Sequence, residues 1–97
     1  MVAIVWTYEV KHEYFTAFEQ AYAPDGAWAV LFSKSEGFLG VQLFRGNAGI
    51  YMTIDSWRSE QDFEAFLAEH VLAYEALDHL TEGWTTSEQL VGRFGLI

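Results

Sequence analysis

The chain has 97 residues, 52% of them apolar and 18% Phe, Trp or Tyr, with a formal net charge of −9 and no cysteine. That charge repels phosphate backbones and anionic lipid, which argues against nucleic acid or a membrane surface as a partner. The missing cysteine excludes disulfides, thiolate catalysis and Cys-based metal sites, and it fits a cytoplasmic protein.

The length predicts one domain, residues 1–97, which buries only about 60–65% of its unfolded surface. Eight Phe, four Trp and five Tyr are more bulk than so small a core needs. The surplus predicts a pocket or a homodimer interface. Half of the acids cluster late, at Glu60, Asp62, Glu64, Glu69, Glu75, Asp78 and Glu82, with no Lys or Arg between Arg58 and Arg93. They are expected to form a solvated helix face.

Val2 to Val10 alternates, with Val2, Ile4, Trp6, Tyr8 and Val10 on one face, and predicts the first strand. It lacks the basic start of a signal peptide, and no apolar run is long enough to span a membrane. From His12 to Tyr22 the period becomes helical through Phe15, Phe18 and Tyr22, until Pro24 forbids continuation. Ala27 to Ser35 predicts a second helix carrying Trp28, Leu31 and Phe32, stopped near Gly37. Phe38 to Arg45 and Ile50 to Trp57 read as a hairpin around Gly46-Asn47-Ala48-Gly49. Tyr51, Thr53, Asp55 and Trp57 share one face of the return strand.

Ser59 and Asp62 form a helix start signal in which the Ser hydroxyl accepts from a first-turn N–H. The helix is expected to run to about His79, with Phe63, Phe66, Leu67, His70, Val71, Tyr74 and Leu77 inside. Leu80 to Thr86 reads as a loop and Gln89 to Leu96 as the last strand, weakened by Gly92 and Gly95. This order predicts an α+β, ferredoxin-like four-stranded antiparallel sheet with helices on one face. The other face carries apolar residues too, which two sheets packed face to face would cover.

The element order, and above all the strand ending in Trp57 followed by Ser59 and Phe63 as W-x-S-x-x-x-F, resembles the antibiotic biosynthesis monooxygenase superfamily, the dimeric α/β-barrel group. The stretch AYAPDGAWAVLF, Ala21 to Phe32, looks specific to a branch. The resemblance implies a homodimer formed sheet to sheet and a pocket between each sheet and its helices. It also implies a range of activities: metal- and flavin-free oxygenation of aromatic polyketides, haem degradation, or no reaction. The first-strand Asn of haem-degrading relatives has no match among Trp6, Thr7 and Tyr8.

Trp57 and His70 are the expected catalytic pair. The Trp57 indole either orients a substrate oxygen or closes the core beneath the helix. His70 shares a helix face with Tyr74 and is the expected general base, against a merely hydrogen-bonded half-buried imidazole. Tyr74, Trp6, Trp28 and Asp55 are the expected substrate-binding residues. Trp6 and Trp28 have core packing as their alternative role, and Asp55 is expected to pair with Arg45 or Arg58, with a general base as its other reading. No cofactor is expected. No metal is expected either, because His70 and His79 lie nine positions apart, on opposite sides of one helix. His79 is expected to pair with Glu75. The expected function is uptake of a small planar phenol- or quinol-like molecule, with cofactor-independent monooxygenation. The alternative is a non-catalytic dimeric binding module.

Overall fold

The computed structural model describes residues 1–97. Strand β1 (Val2–Val10) is followed by a short 3-10 turn at His12–Tyr14 and the helices α1 (Phe15–Tyr22) and α2 (Ala27–Phe32). The hairpin β2 (Phe38–Arg45) and β3 (Ile50–Trp57) leads into α3 (Glu60–Glu69) and α4 (Val71–Thr81), and β4 (Thr85–Gly95) closes the sheet. Strand order is β2-β3-β1-β4, antiparallel throughout. This is the α+β, ferredoxin-like arrangement.

The alternation of β1 and β3 decides which side is inside. Val2, Ile4, Tyr8 and Val10 are buried against the helices, and so are Tyr51, Thr53 and Trp57 from β3. Register places them side by side, with Tyr8 opposite Tyr51 and Val2 opposite Trp57. Phe18 and Tyr22 of α1 stack on each other with ring centroids 4.0 Å apart and lie against Tyr8. The hairpin turn depends on Gly49, at φ +80°, where a side chain would press on the Val10 carbonyl and the Phe15 ring. Only glycine meets both demands at low cost.

Three boundaries differ from the sequence expectation. The long helix is two helices, because the chain bends at His70 (φ −121°, ψ 29°). The bend keeps the hydrogen bonds on both sides, His70 N–H to the Phe66 carbonyl and Tyr74 N–H to the His70 carbonyl. With no Gly or Pro there, the apolar period runs through it unbroken. The segment read as a loop after Leu80 is the end of α4 at Thr81, a 3-10 turn at Glu82–Trp84, and the first residues of β4. Thr85 to Glu88 is polar, yet it pairs with β1 from Val10 to Tyr8. An edge strand with one solvated side needs no apolar alternation. The second helix stops at Phe32, short of Ser35.

Arg45 reaches Glu19 on α1, and Arg93 reaches Glu64 on α3. Their neighbours Phe44 and Phe94 therefore point to the opposite side of the sheet, where they are 43% and 51% exposed. Val5, Met52 and Ile54 share that outer face by register. No helix is long and apolar enough to cross a membrane.

Candidate ligand-binding site

Between sheet and helices lies a cavity of about 60 Å³ that opens to solvent. This is several times the roughly 10–15 Å³ that one water requires. The sheet supplies Trp6 and Tyr8 from β1, Val41 from β2, Thr53 and Asp55 from β3, and Glu88 from β4. The helices supply Tyr22, Trp28, Phe32, Tyr74 and Asp78. All four expected substrate-binding residues, Trp6, Trp28, Asp55 and Tyr74, meet here, although they come from four different elements.

Several wall groups are held in place. The Tyr8 and Thr53 hydroxyls share a hydrogen bond of 3.1 Å, and Tyr22 donates to Thr81 Oγ1 at 3.3 Å. Burial pushes the pKa of both tyrosines well up, so they are neutral donors. Burial is also the main cause that raises Tyr74 to about 12, with the charges of Asp78, Asp55 and Glu88 adding to it. Trp28 packs edge-on to Tyr74 with centroids 5.1 Å apart. Its indole nitrogen is buried without a hydrogen-bond partner. The Tyr22 hydroxyl is near enough for that N–H to lower its pKa, but is not in hydrogen-bonding geometry with it.

Asp55 is the unusual group. Neither expected ion pair exists, because Arg45 is engaged by Glu19 and Arg58 by Asp62, at 2.8 Å. Burial alone raises the Asp55 pKa from 3.8 to about 7. A carboxyl in this state is part protonated and part ionised at neutral pH, as a general acid–base group requires.

Trp57 and His70 are outside the cavity lining. Trp57 is fully buried among Phe32, Phe38, Phe63 and Phe66, with ring centroids 5.2–5.4 Å away. His70 occupies the α3–α4 joint, its ring 5.1 Å from that of Phe66 and its Nε2 3.7 Å from Glu69. His79 pairs with Glu82 at 2.9 Å, not with Glu75. No group of three His, Cys, Asp or Glu is placed to hold a metal ion.

Sequence reasoning missed two wall carboxylates. Asp78 was counted with the solvated acids, yet it lies one helical turn after Tyr74 and faces the cavity with it. Glu88 falls between the expected loop and the expected last strand, yet it lies opposite Tyr8 in the β1–β4 register. The i, i+4 spacing would have found the first. Nothing local marks the second.

A small antiparallel α+β sheet with an aromatic-walled cavity under its helices defines a ferredoxin-like pocket protein. The sequence matches the antibiotic biosynthesis monooxygenase family over residues 1–89, and the chain belongs to that family. Among solved structures it is similar to a mutant of MhuD with two manganese protoporphyrin IX bound per active site, at 26% identity and a TM-score of 0.75, covering 100% of this chain and 95% of that one. It is similar to a mutant of SnoaB, a cofactor-independent oxygenase from Streptomyces nogalater, at 20% identity and a TM-score of 0.70, covering 98% and 91%. Rv0793 from Mycobacterium tuberculosis shares the fold at 14% identity and a TM-score of 0.72, covering 99% and 94%. Among curated proteins, none matches the sequence.

Proposed function

We propose that the protein takes a small, electron-rich phenol or quinol into this cavity and oxygenates it without a cofactor, with Asp55 as the proton acceptor. The observation that carries this reading is a carboxyl with no partner on the wall of an aromatic cavity, its pKa brought to about 7 by burial. The likeness to a cofactor-independent oxygenase supports it at the level of fold.

Asp55 accepts the hydroxyl proton, and the electron-rich anion passes one electron to O₂. The two radicals combine at a ring carbon. Cleavage of the resulting O–O bond leaves one oxygen on the ring and releases the other as water. Phenol plus O₂ thus gives quinone plus water, and the substrate supplies all four electrons. The unpartnered Trp28 N–H is suited to the substrate oxygen, and the aromatic walls keep water away from the anion. Asp55 takes the base role in place of His70, which is turned into the helix joint.

Oxygen uptake with a panel of phenols and quinols, with quinone measured in parallel, tests this. Asp55→Asn should lower kcat by about 100-fold or more, while His70→Ala leaves it within a small factor. Binding of the panel with no O₂ uptake would instead establish the non-catalytic binding module.

Haem fits the site poorly. A cavity of about 60 Å³ lined by three carboxylates, with no His, Lys or Arg, offers neither the room nor a counter-charge for propionates. The Soret band should not respond to added protein. We further propose a homodimer through the outer sheet face of Val5, Phe44, Met52, Ile54 and Phe94, since apolar patches of this kind mark contact surfaces. Light scattering should read twice the chain mass for the wild type and the single-chain mass for Ile54→Glu; a monomeric wild type would overturn the homodimer.

A further inference from the structure

We infer that the ligand carries a positive charge, and that the site is built for a planar aromatic amine with its ring between the cavity walls and its ammonium at the Asp78–Glu88 rim. This rests on the pocket of the proposed function and deepens it by naming a substrate class.

Charge is the first ground. The cavity wall holds Asp55, Asp78 and Glu88 and no cationic side chain. The chain has only five Lys and Arg, and its arginines are engaged elsewhere: Arg45 with Glu19, Arg58 with Asp62, Arg93 with Glu64 and Glu60. Lys11 and Lys34 lie outside the lining and make no ion pair. Nothing within the chain neutralises the three carboxylates.

Placement is the second ground. Asp55 sits mid-strand, packed between Val41 on β2 and Ile4 on β1 by register. Asp78 projects from α4 and is half-buried, and Glu88 projects from β4 and is exposed. The latter two therefore form an acidic rim above the interior carboxyl. They act on each other across the opening: burial is the main cause that raises the Glu88 pKa, and the Asp78 and Glu82 charges add to it. A ligand cation would turn that repulsion into attraction.

The walls supply the third ground. Trp6, Tyr8, Tyr22, Trp28, Phe32 and Tyr74 present six aromatic rings to one small space, and ring faces attract cations more strongly when water is excluded. Independently of the acids, the buried Trp28 N–H lacks an acceptor although it belongs to a cavity wall. It calls for a ligand oxygen or nitrogen in the interior. A ring that carries both a hydroxyl and a protonated amine supplies the acceptor and the cation together. The ammonium also offsets the cost of forming a phenolate beside carboxylates, which an uncharged phenol would meet in full.

Three probes sharing one ring isolate the charge: tyramine, 4-ethylphenol and 4-hydroxyphenylacetate, titrated into the full chain by calorimetry. Tyramine should bind about tenfold tighter than 4-ethylphenol, and 4-hydroxyphenylacetate about tenfold weaker, in keeping with paired charges at a partly desolvated rim. Asp78→Asn with Glu88→Gln, both conservative and solvent-reachable, should bring tyramine to within about twofold of 4-ethylphenol measured on the same variant. Tyramine binding no tighter than 4-ethylphenol, or a preference that survives the double variant, overturns the inference and leaves the proposed pocket standing. Failure of all three probes to bind overturns both.

Discussion

Asp55 and Trp57 are two residues apart on one face of one strand, yet they meet opposite surroundings. At the Trp57 end, α3 lays Phe63 and Phe66 on the indole, Phe32 and Phe38 complete the enclosure, and no space remains. At the Asp55 end, α4 contributes Tyr74 and Asp78, α2 contributes Trp28, and a cavity is left. Phe32 borders both. The difference arises from the bend at His70, which allows the two halves of one apolar stripe to cover different parts of the sheet. Filled and hollow ends of one layer divide the work: one holds the fold together, and the other is available for chemistry.

The contrast is broken most severely at the filled end. Trp57→Ala should lower unfolding free energy by about 3–5 kcal/mol, read from urea midpoints, because a fully buried ring leaves a void that its neighbours cannot close. A loss below about 1 kcal/mol would mean that this end is not the packed one.

A pH series tests the hollow end. Asp55 titrates near 3.8 when unfolded and at about 7 when folded, so the folded chain binds the proton more tightly. Stability is then greatest while the carboxyl is protonated in both states, declines as pH rises above about 4, and levels off above about 7. The full span is roughly 2–4 kcal/mol after allowance for partial solvent access. Asp55→Asn should remove that slope and leave the variant the more stable protein above pH 7. A wild-type slope equal to that of the variant would show that Asp55 is solvated.

Size changes sharpen the comparison further. Val41→Phe should fill the cavity at a stability cost of about 1 kcal/mol or less while abolishing phenol binding. Phe66→Trp, the same kind of enlargement at the filled end, should cost about 1–3 kcal/mol and leave binding unchanged. The smallest effect distinguishes the two indole N–H groups, each buried without a partner. Trp28→Phe should weaken phenol binding by roughly 3–10-fold, the worth of one hydrogen bond, whereas Trp57→Phe should not change it.

Much of this was legible in the sequence. Strands β1, β2 and β3 fall on the boundaries their alternation predicts, and the face bearing Tyr51, Thr53, Asp55 and Trp57 is the inner one. Ser59 caps α3 by accepting the Asp62 N–H at 3.1 Å, as its spacing implies. The candidate site was legible only in part. Trp6, Trp28, Asp55 and Tyr74, which the sequence singles out together, line one cavity. The roles given to Trp57 and His70 assumed that a strand–helix junction borders the cavity, whereas aromatic packing closes that junction. Glu88 escaped notice because an edge strand can be polar, and Asp78 because an acid on a helix is usually solvated.

Local sequence determined the pattern: which residues alternate, which recur every three or four positions, where a hydroxyl caps and a glycine turns. These follow from backbone geometry and short-range sterics, which act within a few residues. Tertiary structure alone decided which part of the inner layer is filled and which is hollow, because that depends on where a helix bends and on ring shapes meeting across four strands. It also decided that Asp55 has no partner. The sequence offers two arginines as partners, but the assembled fold turns both to other acids.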